Sequence, residues 1–231
     1  MGMSLDILVF GAHPDDAEIG MGGTIRKHTN AGYKVGICDL TLAEMSSNGT
    51  VESRRREAES AGSILKLHSR TNLELPDRGL FMCKEHIELI TREIRKFQPR
   101  LVFAPYWQDR HPDHEACSRL VEEAVFNAKL RKYLPDIPSF QVEQFIYYFI
   151  NDVYEPDMVL DVSPFYNDKQ AALREYKSQF DPVSSHDRVK TPINQRYLER
   201  IETRDRLMGQ QQAVEYAEGF VSKQPTFINL F

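Results

Sequence analysis

The chain has 231 residues, of which 41% are hydrophobic and 27% are charged. This length and composition are typical of a folded protein with a full core, and they favour one domain over residues 1–231 rather than two. The formal net charge of −5 and the isoelectric point of about 5.8 argue against nucleic acid or an anionic membrane as a partner.

The cysteines and the N-terminus indicate a location inside the cell. Cys38, Cys83 and Cys117 are odd in number and far apart, as is usual for reduced thiols. The first apolar run is too short for a secretory signal, and no apolar run approaches the roughly 20 residues that span a bilayer. We therefore expect a soluble cytoplasmic protein in which Cys38 is a small core residue.

The first half of the chain alternates between two hydrophobic patterns. Short apolar runs predict strands buried on both faces, at 6–12, 34–41, 71–75 and 100–105. The stretches between them predict helices at about 21–31, 51–67 and 84–97. This alternation predicts an α/β fold that is Rossmann-like, with a mostly parallel sheet sandwiched between helices.

The second half continues with fewer regular signals. Pro112 suits the first turn of a helix that runs to about Leu130. Further strands are predicted at 144–150 and 158–162, and further helices at about 165–180 and 195–212. The polar stretch 181–195 contains two prolines and is predicted to form a loop.

Four polar segments follow the first four predicted strands. They read HPDD, LAEMSSNGT, PDRG and YWQDRHPDHE. In open parallel sheets, ligands bind outside the carboxyl ends of the strands. We therefore expect these segments to converge at one rim of the sheet and to form the functional site.

Two of these segments combine histidines with carboxylates. Two histidines and one carboxylate form a metal-ligand set that leaves positions open for water and substrate. His13 and Asp16 supply part of such a set, and either His111 or His114 completes it while the other acts beside the metal. Asp15 is then left to take a proton from a metal-bound water. The alternative is that these are solvated loop residues, with the acids favoured by a helix N-terminus.

The second cluster also suggests how charge in a reaction would be stabilised. His111 and Asp113 are two residues apart, so the carboxylate could orient the imidazole. A histidine held as an imidazolium would stabilise an oxyanion or protonate a leaving group. Arg110 adjoins this pair and Arg54 opens the helix after the second segment. Either could bind an anionic substrate group, although Arg54 also fits a solvated basic helix face.

The motif AHPDD-x-E-x-G-x-GG after the first strand, with RHPDH after a later one, resembles the PIG-L/LmbE-like metal-dependent deacetylases. The resemblance runs from DILVFGAHPDD to YAEGF. Within the family, SSNGT and LPDRGL are similar to the bacillithiol-biosynthesis deacetylases, which remove acetate from N-acetylglucosaminyl-malate. Relatives act on other N-acetylglucosaminyl compounds, including chitooligosaccharides. The resemblance implies an amino-sugar substrate, a Zn²⁺ cofactor that Fe²⁺ or another divalent metal could replace, and a homo-oligomer, commonly a hexamer.

The resemblance also implies a role for each candidate residue. It implies that His13, Asp16 and His114 bind zinc and that Asp15 is the general base. The remaining candidates are implied to stabilise the intermediate (His111 and Asp113), to bind substrate or transition state (Arg54 and Arg110), and to assist the oxyanion as a mobile tyrosine (Tyr197).

Three other interpretations stay open at this point. A dinucleotide-binding site would need a glycine where GMGGTI ends in Ile25, so that fingerprint is incomplete. A non-haem iron oxygenase uses the same HxD…H ligands, but usually on a β-barrel. A structural zinc site would need four protein ligands, for which Cys117 is the nearest thiol.

Overall fold

The computed structural model describes residues 4–152, 154–181 and 189–225. The described residues contain seven strands: β1 (Ile7–Gly11), β2 (Val35–Thr41), β3 (Ser69–Leu75), β4 (Leu101–Pro105), β5 (Gln144–Tyr148), β6 (Met158–Asp161) and β7 (Ala217–Val221). They form one sheet in the order β3-β2-β1-β4-β5-β7-β6. The first five positions pair in parallel, whereas β7 is antiparallel to both β5 and β6.

Helices cover both faces of this sheet. They are α1 (Asp16–Asn30), α2 (Val51–Ile64), α3 (Lys84–Phe97), α4 (Pro112–Ala128), α5 (Tyr166–Glu175), α6 (Lys177–Phe180) and α7 (Tyr197–Gln210). One apolar core lies between the sheet and the helices α1, α2, α5 and α7, and a second lies between the sheet and the helices α3 and α4. The predicted α/β sandwich with a mostly parallel sheet is confirmed.

Two predicted helices differ from the structure, and one strand was not predicted. The first helix begins at Asp16 instead of residue 21 and is interrupted at Met21, where φ is −148°. The helix predicted at 165–180 is a 3-10 turn followed by α5 and α6, which are separated at Tyr176. Strand β7 was not predicted, because its short sequence AEGFV contains a glutamate and a glycine. Of the loop predicted at 181–195, residues 182–188 lie outside the described residues.

The break in α1 is stabilised by a buried ionic cluster. Glu218 on β7 accepts hydrogen bonds from the peptide N–H groups of Gly23 and Thr24, at 3.0 and 2.7 Å. These donors lie just after the break, where a helix N-terminus lacks intrahelical partners. Lys169 on α5 lies 2.6 Å from Glu218 and 2.6 Å from Asp205 on α7. The cluster therefore ties α1, α5, α7 and β7 together behind the carboxyl end of the sheet.

A substitution in α1 tests how closely this helix packs against β5. A Cβ atom at Gly20 would lie 2.1 Å from the ring of Tyr148 and 2.9 Å from the carbonyl oxygen of Phe149. The Tyr148 ring is fully buried, so it has no space to move into. We expect Gly20→Ala to lower the free energy of unfolding by about 1–3 kcal/mol or more, measured by urea denaturation.

Gly62→Ala in α2 is the matched control. Its new Cβ atom would lie 3.2 Å from the end of the Leu67 side chain, which is only partly buried. Helix propensity favours alanine over glycine by up to about 1 kcal/mol, so the stability of this variant should equal or exceed that of the wild type. Equal stability of both variants would contradict the close packing of α1 on β5.

Candidate active site and metal centre

A cavity opens at the carboxyl ends of the parallel strands. The segments after the first four strands all line it, with residues 13, 15 and 16, residues 45–48, residues 77–78, and residues 110, 111 and 114. The predicted convergence of these segments is therefore confirmed. The later part of the chain completes the wall with residues at 150–151, 179 and 191–197.

The local structure after β1 fixes the first two candidate ligands. The carbonyl oxygen of Ala12 accepts hydrogen bonds from the backbone and hydroxyl of Thr41, at 3.0 and 2.9 Å, which holds the turn against β2. Asp16 begins α1, and its Oδ2 accepts from the peptide N–H of His13 at 2.9 Å. The turn therefore presents His13 and Asp16 on the same side of the cavity floor.

The three predicted metal ligands lie together. Asp16 Oδ1 is 3.1 Å from His114 Nε2, and Asp16 Oδ2 is 3.6 Å from His13 Nδ1. Four-coordinate zinc with ligands at about 2.0–2.1 Å requires ligand atoms about 3.3 Å apart. Both distances are close to this value, although they involve different oxygens of Asp16. Atoms of His13, His111 and His114 also lie within 4.8 Å of one another, which makes His111 a neighbour of the same site.

Two carboxylates that were not predicted contact the imidazoles of the candidate ligands His13 and His114. Asp77 Oδ1 lies 3.1 Å from His13 Nε2, and Asp109 Oδ1 lies 3.0 Å from His114 Nδ1. Each histidine thus has one ring nitrogen on a carboxylate and the other turned toward Asp16. Metal-ligating histidines are commonly oriented in this way. Both carboxylates belong to segments predicted to converge, but their sequence positions gave no indication of this role.

Asp15 lies beside this ligand set in a strained backbone conformation. Its φ is 121°, which costs a residue with a side chain about 1–3 kcal/mol. Burial raises the pKa of Asp15 to about 7, against the lowering effect of Arg54. A carboxyl group that titrates near neutrality is well matched to accepting and returning a proton.

Arg54 is buried at the cavity wall, so its interpretation as part of a solvated helix face is wrong. Helix α2 begins after Thr50, whose side chain caps it by accepting from the N–H of Ser53 at 3.1 Å. Arg54 follows in the first turn, and its Nη2 lies 3.2 Å from Asp15 Oδ2. The same guanidinium donates to the carbonyl oxygen of Pro14. Arg54 therefore holds Asp15 in place as well as lining the cavity.

The predicted contact between the Asp113 carboxylate and the His111 imidazole is wrong. The Asp113 carboxylate accepts from the N–H and Nη1 of Arg78, at 3.0 and 2.9 Å, and lies 3.5 Å from His13 Nε2. His111 is the N-cap of α4, and its Nδ1 accepts from the backbone N–H of Asp113 at 3.2 Å. The start of α4 thus turns the Asp113 side chain away from His111 and toward His13.

The surroundings of His111 do not favour the imidazolium predicted there. Burial, together with the positive charge of His114 and His13, lowers the pKa of His111 to about 4. The ring is therefore neutral near pH 7. Because Nδ1 accepts a hydrogen bond, the proton is on Nε2, and His111 keeps one donor for a reacting group.

The two remaining candidates also line the cavity. Arg110 is exposed and forms no hydrogen bond or ion pair with any residue that the structure describes. Tyr197 is buried at the start of α7, and its hydroxyl donates to Asn151 Oδ1 at 2.8 Å. Burial raises the pKa of Tyr197 to about 12, so its hydroxyl stays protonated.

The sequence model of the PIG-L family, described as GlcNAc-PI de-N-acetylase, matches residues 8–125, which include both histidine motifs. The chain belongs to this family. It is therefore an enzyme of the deacetylase type within the hydrolases. No helix among the described residues is long and apolar enough to cross a membrane.

Individual PIG-L relatives agree with this assignment. The chain is 31% identical to diacetylchitobiose deacetylase of Thermococcus kodakarensis, over 75% of this chain and 70% of that protein. It is 30% identical to a probable N-acetyl-alpha-D-glucosaminyl L-malate deacetylase 2 of Bacillus subtilis, over 77% of this chain and 84% of that protein. The crystal structure of conserved protein TT1542 from Thermus thermophilus superposes with a TM-score of 0.89 and 39% identity, covering 97% of each chain.

The PIG-L assignment and the geometry together weaken the other interpretations. Asp15 and Asp16 occupy the start of α1, where a dinucleotide would place its phosphates. Cys117 is fully buried in the core between α4 and the sheet and does not line the cavity, so it is not a fourth metal ligand. The sheet is open and mostly parallel, unlike the barrels that usually carry non-haem iron oxygenases.

Replacing one ligand tests the metal centre. We expect His114→Ala, loaded with Zn²⁺ and desalted, to retain less than about a tenth of the wild-type metal, because two protein ligands hold zinc far more weakly than three. Metal per chain is measured by mass spectrometry. His68→Ala removes an exposed histidine far from these motifs in sequence and should retain the wild-type amount. Full metal content in His114→Ala would contradict the ligand set.

Proposed function

We propose that this chain is a zinc-dependent N-deacetylase that releases acetate from an N-acetylglucosaminyl conjugate, with N-acetylglucosaminyl-malate as the preferred substrate. One observation carries the proposal. The buried ligand set of His13, Asp16 and His114 lies on a cavity floor beside a separate buried carboxyl group, Asp15, whose pKa is close to neutrality. That arrangement supplies both a Lewis-acid site and a proton acceptor at one place.

His13, Asp16 and His114 would hold the metal, which when bound polarises the acetamide carbonyl and lowers the pKa of a bound water. Asp15 accepts a proton from the attacking water as its oxygen bonds to the carbonyl carbon. The C–N bond then breaks, acetate leaves, and Asp15 returns the proton to the departing amine. Arg54 keeps Asp15 oriented through both events.

The tetrahedral intermediate carries an oxyanion that needs hydrogen-bond donors. His111 lines the cavity and offers its Nε2–H as a neutral donor. This replaces the imidazolium expected from the sequence. Tyr197 also lines the cavity with a protonated hydroxyl and is the second candidate donor. Preorganised donors of this kind stabilise developing charge without reorganisation.

The cavity mouth favours an anionic group on the sugar. Arg110 is a charged side chain without a described partner, and a carboxylate would complete its hydrogen bonding. Ser46, Ser47 and Gln179 give the adjoining walls a polar character suited to sugar hydroxyls. Malate on the sugar would meet these requirements, whereas a chitooligosaccharide would leave Arg110 unused. A homo-oligomer, a hexamer by family resemblance, and a cytoplasmic location stay predictions of the sequence.

Acetate release tests the proposal directly. The zinc-loaded enzyme is assayed on N-acetylglucosaminyl-malate, N,N′-diacetylchitobiose and N-acetylglucosamine, and again after loading with Fe²⁺ under anaerobic conditions. We expect the highest kcat/KM on the malate conjugate. Preference for diacetylchitobiose would move the proposal to chitooligosaccharides, and no release from any of them would contradict it.

The general base is tested by Asp15→Asn. This change keeps the size of the side chain but removes the proton acceptor, so kcat should fall by about 10²- to 10⁴-fold while bound metal stays constant. The matched control is Asp136→Asn, which changes an exposed carboxylate paired with Arg92. Near wild-type turnover in metal-loaded Asp15→Asn would show that another group takes the proton.

Arg110→Ala tests recognition of the anionic group. Loss of one charge-assisted hydrogen bond is worth about 1.5–3 kcal/mol, so KM for the malate conjugate should rise by about 10- to 100-fold. KM for neutral diacetylchitobiose should stay within about threefold, because that substrate has no carboxylate to bind. Arg119→Ala removes a surface arginine on the helix that follows and serves as control. An equal rise in KM for both substrates would refute the role of Arg110 in binding the substrate carboxylate.

A further inference from the structure

A continuous series of hydrogen bonds joins the cavity wall to a metal ligand. The Tyr197 hydroxyl donates to Asn151 Oδ1 at 2.8 Å, and Asn151 Nδ2 donates to Asp109 Oδ1 at 2.8 Å. The same Asp109 oxygen lies 3.0 Å from His114 Nδ1. Tyr197, Asn151 and His114 are all buried, so water has little access to replace these bonds.

The chemistry of the four groups sets the direction of each bond. A carboxylate only accepts, so Asn151 must turn its NH₂ group toward Asp109. Its amide oxygen then points away and needs a donor, which the Tyr197 hydroxyl supplies. At the other end, Nδ1–H of His114 donates to Asp109, and Nε2 faces Asp16 as the ring nitrogen that would bind a metal.

Asp109 is held from several sides. Besides His114 and the Asn151 side chain, it accepts from the backbone N–H of Asn151 at 3.1 Å and from the backbone N–H of His111 at 2.8 Å. A carboxylate with four donors has little freedom to rotate. Its position therefore depends on Asn151, which supplies two of the four donors.

We propose that Asp109 and Asn151 are positioning residues that couple the cavity wall to the metal centre, and that Tyr197 acts on His114 through them. The inference rests on the proposed function only in assuming that His13, Asp16 and His114 hold a divalent metal. One consequence concerns the reaction. The Tyr197 hydroxyl has one proton, and it already donates this proton to Asn151 Oδ1. Tyr197 can therefore donate to an oxyanion only if its hydrogen bond to Asn151 breaks.

Metal affinity in the absence of substrate tests the coupling. Zn²⁺ affinity of the metal-free protein is measured by competition with a chromophoric chelator for the wild type, Asp109→Asn, Asn151→Ala, Tyr197→Phe and the double variant Tyr197→Phe/Asn151→Ala. We expect Asp109→Asn and Asn151→Ala to raise Kd by about 10- to 100-fold, as losses of such outer partners do. Tyr197→Phe should raise Kd by a smaller factor, and it should add nothing in the Asn151→Ala background.

Two controls separate positioning from general damage. Asn194→Ala removes another buried amide, bonded to Val189 and Thr191 and not to Asp109, and should bind Zn²⁺ like the wild type. The visible spectrum of the Co²⁺-loaded protein should change in Asp109→Asn and Asn151→Ala but not in Asn194→Ala, since it reports the geometry of the ligands. If Asp109→Asn does not fold, the Zn²⁺ affinities of Tyr197→Phe, Asn151→Ala and their double variant still test the coupling.

The coupling is refuted if Tyr197→Phe binds Zn²⁺ as tightly as the wild type. It is equally refuted if the effect of Tyr197→Phe persists in the Asn151→Ala background, because Tyr197 would then act by another route. Failure of the proposed function looks different. An enzyme that releases no acetate while the metal-affinity cycle behaves as expected keeps the coupling and loses the substrate assignment.

Discussion

Several carboxylates are buried at the carboxyl end of the parallel strands, and each of them requires a cation or a hydrogen-bond donor beside it. Asp15, Asp16 and Asp77 line the cavity, Asp113 lies behind it against His13, and all four side chains are nearly inaccessible to water. Carboxylates removed from water are stable only when cations or hydrogen-bond donors compensate them. The imidazole groups of the site and the arginines beside it supply that compensation. The burial thus explains both the ligand set and its charged surroundings.

Asp16 shows how this compensation operates at a single group. Burial works to raise its pKa, yet the facing imidazoles of His114 and His13 hold the pKa of Asp16 well below its usual range. Asp15 is its neighbour in sequence, but Arg54 alone does not offset its burial, and its pKa is raised. Adjacent carboxyl groups thereby acquire opposite pKa shifts, which agrees with the proposed roles of Asp16 as metal ligand and Asp15 as proton acceptor.

The two halves of the chain contribute differently to the site. The parallel half supplies the candidate metal ligands and the base from rigid strand ends, as open α/β sheets commonly do. The later half supplies Asn151 and Tyr197, which act on the site from its wall. The buried cluster of Lys169, Asp205 and Glu218 fixes α7 to the break in α1. The position of Tyr197 therefore depends on packing far from the chemistry.

Local sequence patterns were sufficient to predict the parallel half of the fold and most of the candidate site. The three-to-four spacing of apolar residues predicted α3 with its observed bounds at 84 and 97. His13, Asp16 and the pair His111 and His114 could be singled out because they lie in segments that follow strands, and strand ends of a parallel sheet converge. The choice of His114 over His111 came from the family resemblance. The apolar spacing and the position of a segment after a strand are local features, so they can be recognised in the sequence alone.

Which side chains meet was decided by tertiary contacts instead. Asp77 and Asp109 contact the ligand histidines from loops whose spacing indicated nothing of the kind. Asp113 is two residues from His111, but the start of α4 directs its carboxylate toward Arg78 and His13. Strand β7 forms because β5 and β6 offer it partners, not because AEGFV favours a strand. Side-chain direction and strand pairing arise from contacts between distant segments, which no local pattern contains.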